Sequence, residues 1–271
     1  MRRAGDSTTF DDHIPIHDEF VYCLGAATEV LKFGPWRDLK KTTDGFPPDV
    51  LFLIIPGNPG VVGFYKTFMQ SLYCGYKKRY PVWAISHAGH CSPPLGMDMS
   101  DGEVLKSILL FPTIERMAQS PQGKIMTPIL CSLRYIVYMP LYLLSFLPEV
   151  MKASLVKFAL RGIKSVDESS LTASLDLFRV ECSVNAMYMG SQEMLKVLER
   201  DDVTIKNNLN KLIFYYGASD HWCPVQYYKD LKKDFPDGDI WLCSRGIRHA
   251  FVLDSSKEVA SIIIDMLGKV L

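Results

Sequence analysis

Residues 50–60 read VLFLIIPGNPG, six consecutive apolar residues followed by a turn of proline, glycine and asparagine. A short unbroken apolar run bounded by turn residues is the pattern of a strand buried on both faces, as the strands of a parallel sheet are. The next segment, FYKTFMQSLYCGY (64–76), carries its apolar residues at helical spacing. Strand, tight turn and helix make the unit from which parallel α/β sheets are assembled.

The same unit recurs along the chain. Upstream, FVYCLG (20–25) and TEVLKFG (28–34), separated by Ala26 and Ala27, read as an opening pair of strands around a short turn, joined to 50–60 by a polar linker at 38–49. Downstream, PVWAIS (81–86), SILLFP (107–112), KLIFYYG (211–217) and DIWLCS (239–244) have the composition of buried strands. The last two are followed by the helix-like segments PVQYYKDLKKDF (224–235) and SSKEVASIIIDMLGKVL (255–271). From about Glu115 to Asn210 nothing reads as a strand, so this stretch is expected to be a helical cap over the end of the sheet. The expected organisation is an α/β core at 17–114 and 211–271, a cap at 115–210, and a flexible N-terminus at 1–16.

Composition limits the function. Thirty Lys and Arg balance thirty Asp and Glu in 271 residues, so nucleic acid is not an expected partner. The N-terminus, MRRAGDSTTFDDHIPI, has no apolar signal-peptide core. Seven scattered cysteines with no C-x-x-C pair, and no N-x-[ST] sequon, suit reduced thiols on the cytosolic side of a membrane. No histidine or cysteine cluster and no glycine-rich phosphate loop is present, so neither a metal nor a cofactor is expected.

The most apolar stretch, PILCSLRYIVYMPLYLLSFLP (128–148), is nearly long enough to cross a bilayer but is interrupted by Arg134 and Pro140. Two readings stand. It is a buried cap helix shielding an apolar pocket, or a helical hairpin lying in a membrane interface through Tyr138, Leu141, Leu143, Leu144 and Phe146.

Two motifs carry chemistry. GASDHWCP (217–224) places Asp220 just after the strand KLIFYYG, and CSRGIRHAF (243–251) places His249 between the strand DIWLCS and the last helix. An acid and then a histidine, both at the carboxyl ends of strands and late in the chain, match the acid–histidine order of α/β-hydrolases. The carboxylate would fix the imidazole tautomer while the histidine moves the proton. Each residue has a plainer reading: Asp220 as a turn residue before the helix after Pro224, His249 as a packing residue. The PGNPG turn is the third piece. Gly57 and Gly60 let the backbone approach a ligand, and Asn58 is the expected donor of an oxyanion-hole N–H, although Gly, Pro and Asn also suit an ordinary turn.

From about His17 to the C-terminus the chain resembles the lipid droplet-associated hydrolase family, a branch of the α/β-hydrolases. The resemblance is carried by FLIIPGNPG (52–60), YPVWAISHAGH (80–90), LLFPTIERM (109–117), FYYGASDHWCP (214–224) and RHAF (248–251). It implies an α/β-hydrolase-type, mostly parallel sheet, with Asp220 and His249 as the family's acid and histidine. It also implies a serine hydrolase acting on lipid esters, sterol ester or acylglycerol, at the cytosolic face of the lipid droplet and the endoplasmic reticulum.

The chain departs from the family in one place. There, ISHAGH is followed by a helix, a strand, the G-H-S-x-G nucleophile turn and another helix before LLFPTIERM. Here residues 86–109 pass directly from one strand to the other, so roughly fifty residues, about one and a half strand–helix units, are missing between about 91 and 106. No G-x-S-x-G occurs anywhere in the sequence. The segment GHCSP (89–93) offers Cys91 or Ser92 as a substitute, but ends in Pro rather than Gly and no helix-forming run follows it closely. The expectation is therefore a sheet missing one central strand with its flanking helices, and a chain without its nucleophile. Such a chain is an inactive relative that still binds lipid surfaces, or a shortened form that does not fold cooperatively.

Overall fold

The computed structural model describes residues 14–23, 26–34, 50–87, 105–163, 166 and 168–268. Its strands are β1 (Ile16–Cys23), β2 (Ala26–Phe33), β3 (Phe52–Ile54), β4 (Val82–Ile85), β5 (Ser107–Leu110), β6 (Leu212–Gly217) and β7 (Asp239–Cys243). They form two sheets, ordered β1-β2-β4-β3 and β5-β6-β7. The β1–β2 and β2–β4 pairs are antiparallel, whereas β3–β4, β5–β6 and β6–β7 are parallel. Ala26 and Ala27 belong to β2, opposite Cys23 and Tyr22, so they extend the second strand rather than separating the two.

The helices α1 (Lys66–Gly75) and α9 (Ser256–Leu267) pack against each other on one face. In α9, Val259, Ala260, Ile263 and Leu267 are buried, the spacing of a single helical stripe. These helices cover Leu31, Phe33, Val82 and Ala84 from the first sheet and Ile213, Tyr215 and Cys243 from the second. One core therefore serves both sheets. Its centre is aromatic: Phe251 meets Phe68 (5.3 Å), Tyr65 (6.3 Å) and Phe111 (5.8 Å) between ring centroids, and Phe111 meets Tyr215 edge-on at 5.7 Å. The second face of the β5–β7 sheet is covered by α8 (Val225–Asp234), which buries Phe214, Tyr216, Leu231 and Ile240.

The β3 strand does not match the expectation of burial on both faces. Phe52 and Ile54 pack into the shared core, but Leu51, Leu53 and Ile55 on the opposite side are 37%, 44% and 73% exposed. Lys32, Trp83 and Leu53 stand side by side across the sheet, and exposure on that face rises from the buried Lys32 to the open Leu53. The apolar run is two-faced in sequence, but among the described residues β3 is the last strand of its sheet and its second face is left exposed.

Between β5 and β6 the described residues hold helices and no strand: α2 (Pro121–Thr127), α3 (Arg134–Ser145), α4 (Glu149–Ala159), α5 (Glu168–Asp176), α6 (Val180–Lys196) and α7 (Asp202–Asn208). This is the cap. No single helix among the described residues is long and apolar enough to cross a membrane; helices 121–132 and 134–145 meet at an 82° bend. Arg134 pins the bend, donating from Nη1 to Ser191 Oγ (2.7 Å) on α6 and from Nη2 to Tyr135 Oη (2.9 Å).

α3 buries no residue fully, so the reading of 128–148 as a buried cap helix is corrected. Of the five contact residues expected there, Leu143 and Phe146 are exposed, whereas Tyr138, Leu141 and Leu144 are half-buried. The exposed stripe instead runs through Tyr135, Ile136, Met139 and Tyr142 and continues onto α4 at Val150, Met151 and Phe158. Nearly every residue of α3 is apolar, so its sequence carries no signal of which side turns inward.

The unequal burial makes a direct prediction. Phe251→Ala removes the hub of the shared core and should lower stability by about 3–5 kcal/mol, while Leu53→Ala, on the uncovered face, should cost less than about 1 kcal/mol. Urea denaturation of the two variants checks the difference.

Candidate functional site

The carboxyl ends of β3, β4, β5, β6 and β7 gather at one edge of the molecule. The loop after β6 turns so that Asp220 points inward, where it is 6% exposed. Its Oδ1 accepts the backbone N–H groups of Trp222 (2.7 Å) and Cys223 (3.1 Å), and its Oδ2 lies 2.8 Å from His249 Nδ1. An ionised carboxylate only accepts, so Nδ1 carries the proton and Nε2 is left as the basic nitrogen. Asp220 is thus both things its position allowed: a turn residue tying two backbone N–H groups and the partner that orients the histidine. His249 is held between Phe111 (6.2 Å) and Trp222 (6.3 Å), measured between ring centroids.

Burial raises the Asp220 carboxyl, but the hydrogen bond and charge of His249, with the two backbone donors, outweigh it and hold the group below the usual carboxylate range. Cys223 behaves oppositely: burial, then the Asp220 carboxylate, push its thiol far up. Asp220, Cys223 and His249 place potential ligand atoms within 4.8 Å of one another. The thiol nonetheless donates to the Phe111 carbonyl (3.2 Å), and both carboxylate oxygens are engaged. This arrangement suits holding a proton rather than a metal, which needs a thiolate.

The PGNPG loop faces this pair from the other sheet. Gly60 is in the left-handed region (φ 79°), and a Cβ there would fall 2.4 Å from the His87 ring, so only glycine fits. His87, just past β4, donates from its backbone N–H to the Gly60 carbonyl (3.1 Å) and from Nε2 to the Pro56 carbonyl (2.8 Å), bracing the loop from both ends. Gly57 N–H donates to Tyr65 Oη at 3.3 Å. The Asn58 side-chain amide donates to the Ala186 carbonyl (3.1 Å) and to Glu193 Oε2 (3.4 Å), both on α6. Those acceptors are seven residues apart, two helical turns, and so share a face. The Gly57 N–H and the Asn58 side chain are thus both engaged within the protein.

Glu193 is the residue that sequence reading missed. Burial raises its carboxyl above the usual range, opposed by the Asn58 hydrogen bond and by the charges of His87 and His249. It joins the cap, the loop and the histidine electrostatically, through a contact 135 residues long in sequence. Cys91 and Ser92 lie outside the described residues.

The lowered Asp220 carboxyl has a pH signature. Because it titrates below its unfolded value, its stabilisation is fully present above about pH 4 and fades as pH falls through the folded value. Asp220→Asn should therefore cost about 1–3 kcal/mol near neutral pH, with the deficit against wild type shrinking on further acidification. Denaturation curves of both proteins from pH 7 to pH 3 test this.

Comparison with known proteins places this geometry in a family. The family model for "Lipid-droplet associated hydrolase" matches residues 48–103 and 95–252. A lipid droplet-associated hydrolase of Gallus gallus is 54% identical, covering 95% of this chain and 96% of the relative; that of Homo sapiens is 39% identical, covering 94% and 96%. The Gallus gallus alignment runs over 312 positions, whereas 95% of 271 residues is about 257, so about 55 positions of the relative face none of this chain. The two pieces of the family match overlap at 95–103, between β4 and β5. Among solved structures, an epoxide hydrolase from Vigna radiata (TM-score 0.54, 13% identity, covering 94% of this chain and 98% of that one) shares the fold. So does a serine hydrolase from Cycloclasticus zankles (TM-score 0.56, 12% identity, 94% and 99%). Fold, site geometry and relatives agree: the chain is a member of the lipid droplet-associated hydrolase family, with an α/β-hydrolase fold.

Proposed function

We propose that this chain is a lipid-surface protein that keeps the acid–histidine half of a serine hydrolase but does not turn over lipid esters by itself. The observation that carries the reading is the Asp220–His249 pair, held at 2.8 Å in a sequence without a G-x-S-x-G turn. In a complete site, His249 would take a serine's proton at Nε2, and the Asn58 backbone N–H, beside Gly57, would face the oxyanion. Without the serine there is no acyl-enzyme step, and the pair holds a proton with nothing to pass it to. The division of the family match between β4 and β5 supports reading the chain as a shortened form of a hydrolase of sterol esters or acylglycerols.

The exposed stripe on α3 and α4 supports the surface role. Ile136, Leu143 and Phe146 are 70%, 61% and 68% exposed on one bent helical unit, where water would have to cover a continuous apolar strip. The matching surface is a phospholipid monolayer or bilayer, as at the cytosolic face of the lipid droplet or the endoplasmic reticulum.

Two assays test these claims. Against emulsified cholesteryl ester and triacylglycerol, the chain should release no fatty acid above blank; steady release abolished by His249→Ala would refute the inactive reading. In flotation with phospholipid-coated triacylglycerol droplets, wild type should rise with the droplets. The triple variant Ile136→Glu, Leu143→Glu, Phe146→Glu should bind at least tenfold more weakly; equal flotation would refute the surface.

A further inference from the structure

The apolar stripe of α3 and α4 has a charged border of one sign. Residues 121–163, which carry α2, α3 and α4, contain Lys124, Arg134, Lys152, Lys157 and Arg161 against the single acid Glu149, in a chain whose charges balance overall. Beyond this segment the acids return at Asp167. Two of the five cations are occupied: Lys152 pairs with Glu149 at 3.1 Å, and Arg134 is held by Ser191 and Tyr135. Lys157 and Arg161 are exposed, and among the described residues no carboxylate pairs with either. They stand four residues apart, on one face at the C-terminal end of α4. Between them Phe158 is exposed, and the Arg161 guanidinium lies 4.1 Å over its ring. A third cation comes from the loop after β7. Arg248 donates from Nη2 to the Gly162 carbonyl (3.4 Å), while Asp254, 3.6 Å from its Nε, offsets part of its charge.

Cations at a helix C-terminus have a plain account, since they complement the helix dipole. That account covers Lys157 and Arg161. It does not cover Arg248, which reaches the same place from 86 residues away in sequence, nor the shortage of acids across three helices. An exposed apolar strip with aromatic rings and cations at its border is the make-up of a face that lies on an anionic lipid surface. We infer that this face selects anionic phospholipid headgroups, and that Lys157, Arg161 and Arg248 take those headgroups while the stripe enters the acyl layer. The inference rests on the proposed surface role and adds the chemistry of that surface. Arg248 directly precedes His249, so headgroups gathered at this end of α4 would border the loop that carries the site.

The experiment floats the purified full chain with triacylglycerol droplets coated either with phosphatidylcholine alone or with phosphatidylcholine containing phosphatidylserine. Each cation near an anionic surface contributes about fivefold in affinity, so at low salt the serine-containing coat should bind roughly tenfold or more tightly. At about 1 M salt, where charges are screened within about 3 Å, that preference should disappear. Lys157→Gln with Arg161→Gln should remove most of the preference and leave binding to the phosphatidylcholine coat within about twofold. Lys229→Gln with Lys233→Gln removes the same charge from exposed positions of α8 and should change neither. If the α4 variant does not fold, Arg248→Gln gives the same reading from a separate loop. Equal binding to the two coats at low salt would overturn this inference and leave the surface role standing. An equal loss in the α4 and α8 variants would also overturn it, since net charge rather than this face would then be the cause. A wild-type chain that rises with neither kind of droplet would overturn both the inference and the surface role.

Discussion

Everything at the candidate site depends on one wedge of aromatic packing. Among the described residues the two sheets share no ladder, so no strand pairing there fixes the PGNPG loop of one relative to the Asp220–His249 pair of the other. Phe251 supplies that fix. Set two residues after His249, it touches Tyr65 and Phe68 near the start of α1 and stacks on Phe111 at the end of β5. The packing of α1 against α9 extends the same contact along the molecule. Apolar packing of this kind is dense and resists shear, so it keeps two half-sheets in register where hydrogen bonds do not. A second, polar tie runs across the site from Asn58 to Ala186 and Glu193, and binds the loop to the cap rather than to the other sheet.

This division leaves the acid–histidine pair resting on the second sheet. Asp220 takes its backbone donors from its own loop, and His249 is oriented by Asp220, Trp222 and Phe111. All of these lie in or just after β5 or in the loops following β6 and β7, within the second sheet. Among the described residues, no hydrogen-bond or ring partner of the pair comes from the first sheet.

Much of this was legible in the sequence, because strands and helices announce themselves by local pattern. VLFLII, PVWAIS, SILLFP, KLIFYYG and DIWLCS all contain the strands they were read as, and Asp220 and His249 stand together as the motif order implied. The errors have a common cause: burial belongs to neighbours, not to segments. VLFLII has an apolar residue at every position, yet only Phe52 and Ile54 meet the core. The apolar 128–148 stretch carries no phase, so three of the five expected contact residues, Tyr138, Leu141 and Leu144, are half-buried instead. Glu193 was invisible for the same reason, since nothing in MGSQEM indicates that a loop 135 residues away will bring an asparagine to it.

The central claim is that the chain holds a preformed Asp220–His249 pair with no nucleophile for it to activate. The most direct test is the intact mass of the purified protein after treatment with a fluorophosphonate probe. The account predicts an unchanged mass at probe concentrations that fully label an active serine hydrolase. A single stoichiometric adduct that disappears in His249→Ala would contradict it, because some serine of this chain would then be activated by the pair.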